Sequence, residues 1–503
     1  MKALTLTLLA ALMATTAHAA DYQLSWMKAG LQPASAPPGE TPPGETPPGE
    51  TPPGEPLTIT LNSVFLPEAT ASQAYTFDFY PLASITGGGA PTSPSYTWGT
   101  VDPLPAGLSL SASGELSGAP IEAGSTDFEV VASYEDAEGR QIYTIIVNGV
   151  EFRATKISAG GSHTCAITPS GGVKCWGANW GGQLGDSSTT QRSTPNSVMN
   201  LSGVVSVSAG QDHTCAITST GALKCWGANW GGALGDGTQT NKSLPVTVFS
   251  SSIANVSAGN GYTCAVTTAG AAKCWGWNDE GQVGDGSRTF RLTPTDVYSS
   301  GANVASIHTG YNHTCAITTG GAIKCWGFNG YGKLGDGTMV SKTYPVFIST
   351  QIYGVADVSL GGDHTCALTL EGGVKCWGSG DYGQIGWGMA MGSTTPVDVV
   401  GLTSGVAMVS TKSNHTCAVT TGGAVKCWGN NVLGQLGDST RKRRVSPVDV
   451  VDLSSGVVEV VAGNDHSCAR TSTGVIKCWG NNGSGELGDG LGFTRETPGN
   501  VAP

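Results

Sequence analysis

From residue 154 onward, hydrophobic and polar positions recur with a period of about 50 residues, and each period holds four short strand-like runs. In the second period these runs are Val204–Ala209, His213–Thr218, Leu223–Gly227 and Pro245–Phe249, separated by turns rich in Gly, Asn and Ser. Four strands of this length per repeat predict one blade of a β-propeller. Seven repeats over residues 154–503 predict seven blades, enough to close a ring with no exposed sheet edge. Upstream, residues 57–150 read as short strands at Leu57–Leu61, Ala74–Phe79, Thr126–Ser133 and Gln141–Val147. Strict alternation places Phe128, Val130 and Ala132 on one face.

Composition agrees with an all-β chain. Only 12% of the 503 residues are charged, whereas 75 are Gly and 26 are Pro, a mix that favours turns over long amphipathic helices. The first 19 residues read as a signal peptide: Lys2, an apolar stretch from Ala3 to Ala14, and Ala17-His18-Ala19 at the cleavage site. Residues 20–56 form a disordered N-terminus and linker in which PPGET repeats from Pro37 to Glu55, a composition that favours extended polyproline and buries no core. No later stretch is apolar enough for a membrane span. An exported protein that is secreted, periplasmic or held at the cell surface is expected.

Residues 57–150 also contain Leu104-Pro105-Ala106-Gly107-Leu108-Ser109-Leu110 and close on the Phe-x-Val strand. They resemble the immunoglobulin-like, cadherin-like domains of bacterial surface proteins, which implies a β-sandwich serving as spacer or adhesion module. In the repeats, Ser-Ala-Gly-x-x-His-Thr is followed by Gly-x-x-Lys-Cys-Trp-Gly-x-Asn, as read from Ser208, and the unit ends in Gly-x-Leu-Gly-Asp at Asp236. This pattern, met seven times, resembles the regulator of chromosome condensation family and implies a seven-bladed propeller of the secreted bacterial type. Together the expected fold is all-β, with an immunoglobulin-like sandwich joined to a Pro-rich linker and followed by the propeller.

All 14 cysteines lie in the repeats as seven Cys-x9-Cys pairs. These are Cys165 with Cys175, Cys215 with Cys225, Cys264 with Cys274, Cys315 with Cys325, Cys366 with Cys376, Cys417 with Cys427, and Cys468 with Cys478. Even separation across a hairpin puts both on one side of the sheet, within disulfide range at about 4.5–5.5 Å between Cα atoms. Zinc would call for Cys-x2-Cys spacing and four converging ligands, so no metal is expected. Six repeats carry a histidine two residues before the first cysteine (His163, His213, His313, His364, His415, His466), and the third carries Tyr262. Because a phenol takes the place once, each is expected to be structural and hydrogen-bonded within its own blade. Asp186, Asp236, Asp285, Asp336, Asp438 and Asp489 follow glycine and should fix turns. The fifth repeat departs, with Gly380 for Asn and Trp387 for Asp, so its loop should differ.

Immediately after each Trp-Gly the repeats diverge. Five in succession place aromatics there: Trp180, Trp230, Trp277, Phe328 with Tyr331, and Tyr382. Equivalent propeller loops emerge on one rim, so these six side chains are candidates for contacting a protein or a glycan. The competing reading packs them between blades, as expected for Trp176, Trp226, Trp275, Trp326, Trp377, Trp428 and Trp479.

Charge narrows the partners. Residues 57–150 hold ten acids and one base, and the remainder from 151 holds 22 of each, so the basic face that nucleic acid requires is missing. The one basic run, Arg441-Lys442-Arg443-Arg444, reads as a solvated loop. No metalloprotease, phosphate-loop or nucleophile-elbow motif is present, and no cofactor is expected. The expectation is a non-catalytic exported binding protein with an extracellular or envelope protein or glycan as partner. The alternatives are a secreted glycan lyase or hydrolase with its site in the channel, and a structural envelope component. Nucleotide exchange on a small GTPase, the role of the family's nuclear founder, fits poorly with export, disulfides and a neutral propeller.

Overall fold

The computed structural model describes residues 55–503 apart from 72, 122–123, 149–150, 299–302, 350–351 and 353. The signal peptide and nearly all of the PPGET linker lie outside the described residues. Among the described residues every regular element is a strand, apart from two short 3-10 turns at Tyr80–Leu82 and Trp230–Gly232.

The N-terminal unit is an immunoglobulin-like sandwich. One sheet orders Ala69–Thr70, Ala137–Asn148, Gly124–Tyr134 and Thr97–Thr100; a second orders Tyr75–Asp78, Glu115–Gly118 and Leu108–Leu110; Thr58–Leu61 pairs with Ala83–Thr86. The long hairpin runs further than its periodicity suggests, turning at Glu135-Asp136. Phe128, Val130 and Ala132 do share the inner face, fully buried with Phe79, Leu116, Tyr143 and Ile145.

The repeats form seven four-stranded antiparallel sheets, each built wholly from one repeat. We call these blades 1–7 and their strands a to d in chain order. Blade 1 is Lys156–Ala159, His163–Ile167, Val173–Gly177 and Arg192–Ser197; blade 7 is Val457–Ala462, His466–Thr471, Ile476–Gly480 and Arg495–Asn500. The a strands of successive blades touch one another all the way round, including blade 7 against blade 1, so they line the central axis. Ring closure therefore needs no strand exchange.

Strands b and c carry the chemistry that stiffens each blade. Cys165 on strand b lies directly opposite Cys175 on strand c, and the two form a disulfide. The other six blades repeat this bond as expected: Cys215 to Cys225, Cys264 to Cys274, Cys315 to Cys325, Cys366 to Cys376, Cys417 to Cys427, and Cys468 to Cys478. Their Cα atoms are 4.1 Å apart in every blade. That is slightly closer than the expected separation, because the paired cysteines sit at the near end of antiparallel spacing. Each bond should add roughly 3 kcal/mol through the entropy of the unfolded chain. Buried positions on b and c are nearly continuous, because both faces meet neighbouring blades.

Candidate functional site

The junction between blades determines which groups remain free for binding. In blade 2, the Thr214 hydroxyl and the Trp226 indole N–H both donate, at 2.9 Å, to the backbone carbonyl of Gln183 in blade 1. A hydroxyl and an indole meet one carbonyl in this way at all seven junctions, with Ser467 in place of threonine in blade 7. Thr164 and Trp176 do so on Glu486 O where the ring closes. Since the threonine hydroxyl spends its proton on that carbonyl, the neighbouring His163 must donate through Nε2 to Thr214 Oγ1, at 2.9 Å. The histidines thus reach the next blade, contrary to the expectation of a bond within their own. His163 begins strand b at the blade's edge and faces the following sheet, a direction that repeat spacing does not reveal. Tyr262 also reaches the next blade but on a different acceptor, donating to His313 O, with its oxygen 3.2 Å from a Thr314 hydroxyl that donates to Gln282 O, and His466 closes the ring on Thr164 at 2.9 Å. The seven recurrent tryptophans are fully buried here.

Buried away from any compensating charge, the imidazoles stay neutral, and five of the six lack a partner at Nδ1. Burial pushes His163, His213, His364 and His466 down to about 3 and His415 to about 4, with His313 also well below the ordinary range. Among the described residues no three His, Cys, Asp or Glu side chains converge.

The aspartates clamp the c–d loops. Asp186 accepts from the Ser188 backbone and hydroxyl, from Asn179 Nδ2 and from Arg192. Burial alone would raise its pKa; the hydrogen bonds from Ser188 and Arg192 outweigh that and hold it low. The turn-fixing role is present, and each carboxylate also has a cation six residues on, such as Arg291 for Asp285 at 2.6 Å and Arg444 for Asp438 at 2.6 Å. Blade 5 replaces this clamp with a hydrophobic one. Trp387 packs on the blade core and donates to Met391 O at 2.9 Å, and Met391 O occupies the space a side chain at Gly380 would need.

Because Gly177 at the end of strand c pairs with His163 at the start of strand b, the c–d loops and the a–b turns open on the same face. Trp180, Trp230, Trp277, Tyr331 and Tyr382 are 39–59% exposed on that face, and Phe328 is half-buried beneath Lys333 Nζ at 4.7 Å. Trp180 and Trp230, from blades 1 and 2, lie 4.9 Å apart between ring centroids. Sequence reading missed Phe290, Met339, Val340, Met389, Met391, Val432, Leu491 and Phe493, which are also exposed on c–d loops. All but Val432 sit later in the loops than the divergent residues after Trp-Gly; Val432 is one of those divergent residues, at the position of Trp180, but is aliphatic and so falls outside an aromatic set. Of the basic run, Arg441 pairs with Glu496 and Arg444 with Asp438, while Lys442 makes no ion pair among the described residues.

At the centre of this face the a–b turns converge on the channel mouth. Tyr311 of blade 4 crosses to blade 7, donating to Asn464 Oδ1 at 2.6 Å, and Lys412 of blade 6 crosses to Ala209 O of blade 2 at 3.3 Å. Lys333, fully buried, donates to Asn312, Gly362 O and Asp363. Desolvation raises the Asp212 and Asp465 carboxyls, Asp212 to about 6.

A sequence profile described as an RCC1-like domain matches residues 121–453, an Ig domain profile matches 57–148, and a regulator of chromosome condensation (RCC1) repeat profile matches 457–486. Similar proteins include the human protein named Probable E3 ubiquitin-protein ligase HERC4, 32% identical over 193 residues, or 37% of this chain and 18% of that protein. Human E3 ubiquitin-protein ligase HERC2 is 33% identical over 195 residues, or 38% and 4%. The chain thus matches less than a fifth of either relative's length. Among solved structures, yeast RCC1 (Prp20) bound to Kap60 superposes with a TM-score of 0.59 at 19% identity, over 70% of this chain and 85% of that one. Human WBSCR16 does so at 0.58 and 20%, over 65% and 93%. Those two share the fold. With the profile spanning about two thirds of its length, the chain belongs to the RCC1-like domain family.

Proposed function

We propose that this protein is a non-catalytic binding module that engages a protein partner with the c–d loop face of its propeller, outside the cytoplasm. One observation carries the reading. Among the described residues, 13 of the 21 exposed large hydrophobic side chains of the blades lie on c–d loops, and every blade contributes at least one. Scattered exposed hydrophobics are ordinary, whereas their concentration on one face marks an interaction surface. Met339, Val340, Met389, Met391 and Leu491 beside the aromatics favour a protein over a glycan, because adaptable aliphatic side chains suit protein interfaces and sugars stack on flat rings. Seven disulfides fit an oxidising compartment, and the leader-like N-terminus supports export. The sandwich would then act as a spacer or adhesion module.

The test is capture on arrays of envelope proteins and of glycans by the oxidised chain. A variant carrying Ala at Trp180, Trp230, Trp277, Phe328, Tyr331 and Tyr382 runs beside it. Protein capture by the parent that the folded variant loses supports the proposal. Equal capture by both, or capture of glycans alone, overturns it.

A further inference from the structure

Six blades begin the a–b turn with glycine: Gly160, Gly210, Gly259, Gly310, Gly361 and Gly463. The reason is steric, since a β-carbon there would come within 2.1–2.7 Å of the histidine or tyrosine ring of its own blade. Blade 6 alone breaks the rule. Strand a runs one residue further, Lys412 pairs with His415, and Ser413 adopts a φ of +42°. A local departure that costs backbone strain, at a place six sister blades hold constant, points to use rather than to packing.

Lys412 brings an ammonium to the channel mouth without satisfying it. Among the described residues its Nζ has one hydrogen bond, the 3.3 Å contact to Ala209 O. Asp212, three residues past Ala209 in the same turn of blade 2, makes no ion pair with it and accepts no hydrogen bond among those residues. Two further groups, on the blade 1 loop and the blade 2 turn, lack partners. Gln183 is fully buried, with its Oε1 accepting from the Gly181 N–H at 2.9 Å and its Nε2 unbonded. Gln435 is anchored the same way in blade 6, on the Leu433 N–H, and its Nε2 donates to Asp465 at 3.1 Å; by that pattern Gln183 Nε2 is aimed at the Asp212 turn. Gln211 Oε1 is buried without a donor.

Among the described residues this deficit lies between the Lys412 ammonium, which blade 6 extends across the mouth, and the turns and loops of blades 1 and 2. Around the rest of the mouth Lys333 has its three acceptors, Asp363 has Lys333, Asp465 has Gln435 and Tyr311 has Asn464. The unfilled set holds two donors, Lys412 and Gln183, and two acceptors, Asp212 and Gln211. It carries one charge of each sign, so a lone anion or a lone cation would meet a like charge. A net-neutral guest with separated charges satisfies both. Trp180, three residues before Gln183 on the same loop, and Trp230 form an exposed aromatic pair on the same face.

We propose that this part of the channel mouth, between Lys412 and blades 1 and 2, binds a free α-amino acid by its zwitterionic head group. The carboxylate accepts from Lys412 and Gln183, the ammonium donates to Asp212 and Gln211, and an apolar side chain lies toward Trp180 and Trp230. Poor compensation in the unliganded protein agrees with this, as burial pushes Lys412 down to about 8 and Asp212 up to about 6. The site does not depend on the protein-partner reading, and either can fail alone.

Saturation-transfer NMR and calorimetry on the oxidised full chain test it, with L-phenylalanine, glycine, N-acetyl-L-phenylalanine and L-phenylalanine amide as probes. Both unmodified amino acids should bind, and each capped derivative should bind at least about tenfold more weakly, having lost one charge-assisted contact. Lys412→Gly restores the residue of the other six blades and so should fold; it and Asp212→Asn should each cost at least about tenfold. Trp230→Ala should weaken L-phenylalanine and leave glycine within about twofold. Saturation transfer from none of the probes, or capped derivatives as good as the free amino acid, overturns the proposal. So does undiminished binding by folded Lys412→Gly.

Discussion

Lowering the pH from about 7.5 to about 5.5 protonates the six junction histidines in the unfolded chain but not in the folded one. Unfolded imidazoles titrate near 6.5. In the fold, burial holds His163, His213, His364 and His466 at about 3, His415 at about 4 and His313 well below the ordinary range. The unfolded state then binds more protons, so this stability is complete above about pH 7 and is lost as the pH falls through 6.5 toward 3. Each histidine should cost about 1.4 kcal/mol over that interval, or about 8 kcal/mol for the six. Asp212, raised to about 6, works in the opposite direction and returns roughly 0.8 kcal/mol. The assay is the denaturant midpoint of the oxidised chain as a function of pH, with proton uptake taken from the slope. Net uptake on unfolding at pH 5 should be about five protons, the six histidines less nearly one already held by Asp212 in the fold, and His213→Tyr, which copies blade 3, should remove about one. A midpoint that is flat between pH 7.5 and 5.5, or an unchanged slope in the tyrosine variant, would refute a neutral histidine belt.

Three further outcomes are open to direct measurement. Replacing Cys264 and Cys274 together by Ala should lower unfolding free energy by roughly 3 kcal/mol in denaturant titrations, with the other six disulfides intact by mass spectrometry. Thr164→Val and Thr416→Val each strip a carbonyl of one donor and a histidine of its acceptor, so each should cost about 1–3 kcal/mol. Equal costs would show that the closing junction matches an internal one, and a much smaller cost at Thr164 would contradict the hydrogen bonds at closure. Asp438→Asn should loosen the blade 6 loop by about 1–3 kcal/mol through the loss of Arg444, measured by midpoint and by hydrogen exchange of residues 439–443.

The repeat itself dictated the blades, because strand length, turn residues and cysteine spacing are local properties that a chain displays without folding. For that reason four strands per unit, seven disulfides and an aspartate-fixed loop were all legible, as was the altered loop signalled by Gly380 and Trp387. The tertiary structure decided what faces what across a junction. His163 meets Thr214 only because consecutive sheets stack at a closed ring's pitch, and no spacing within one repeat encodes that neighbour. The same holds for the exposed face. Met391, Phe493 and Trp180 are remote in the chain and become one surface through the direction of strand c. Lys412 and Ala209 lie 203 residues apart and touch only because the ring brings blade 6 across the channel from blade 2.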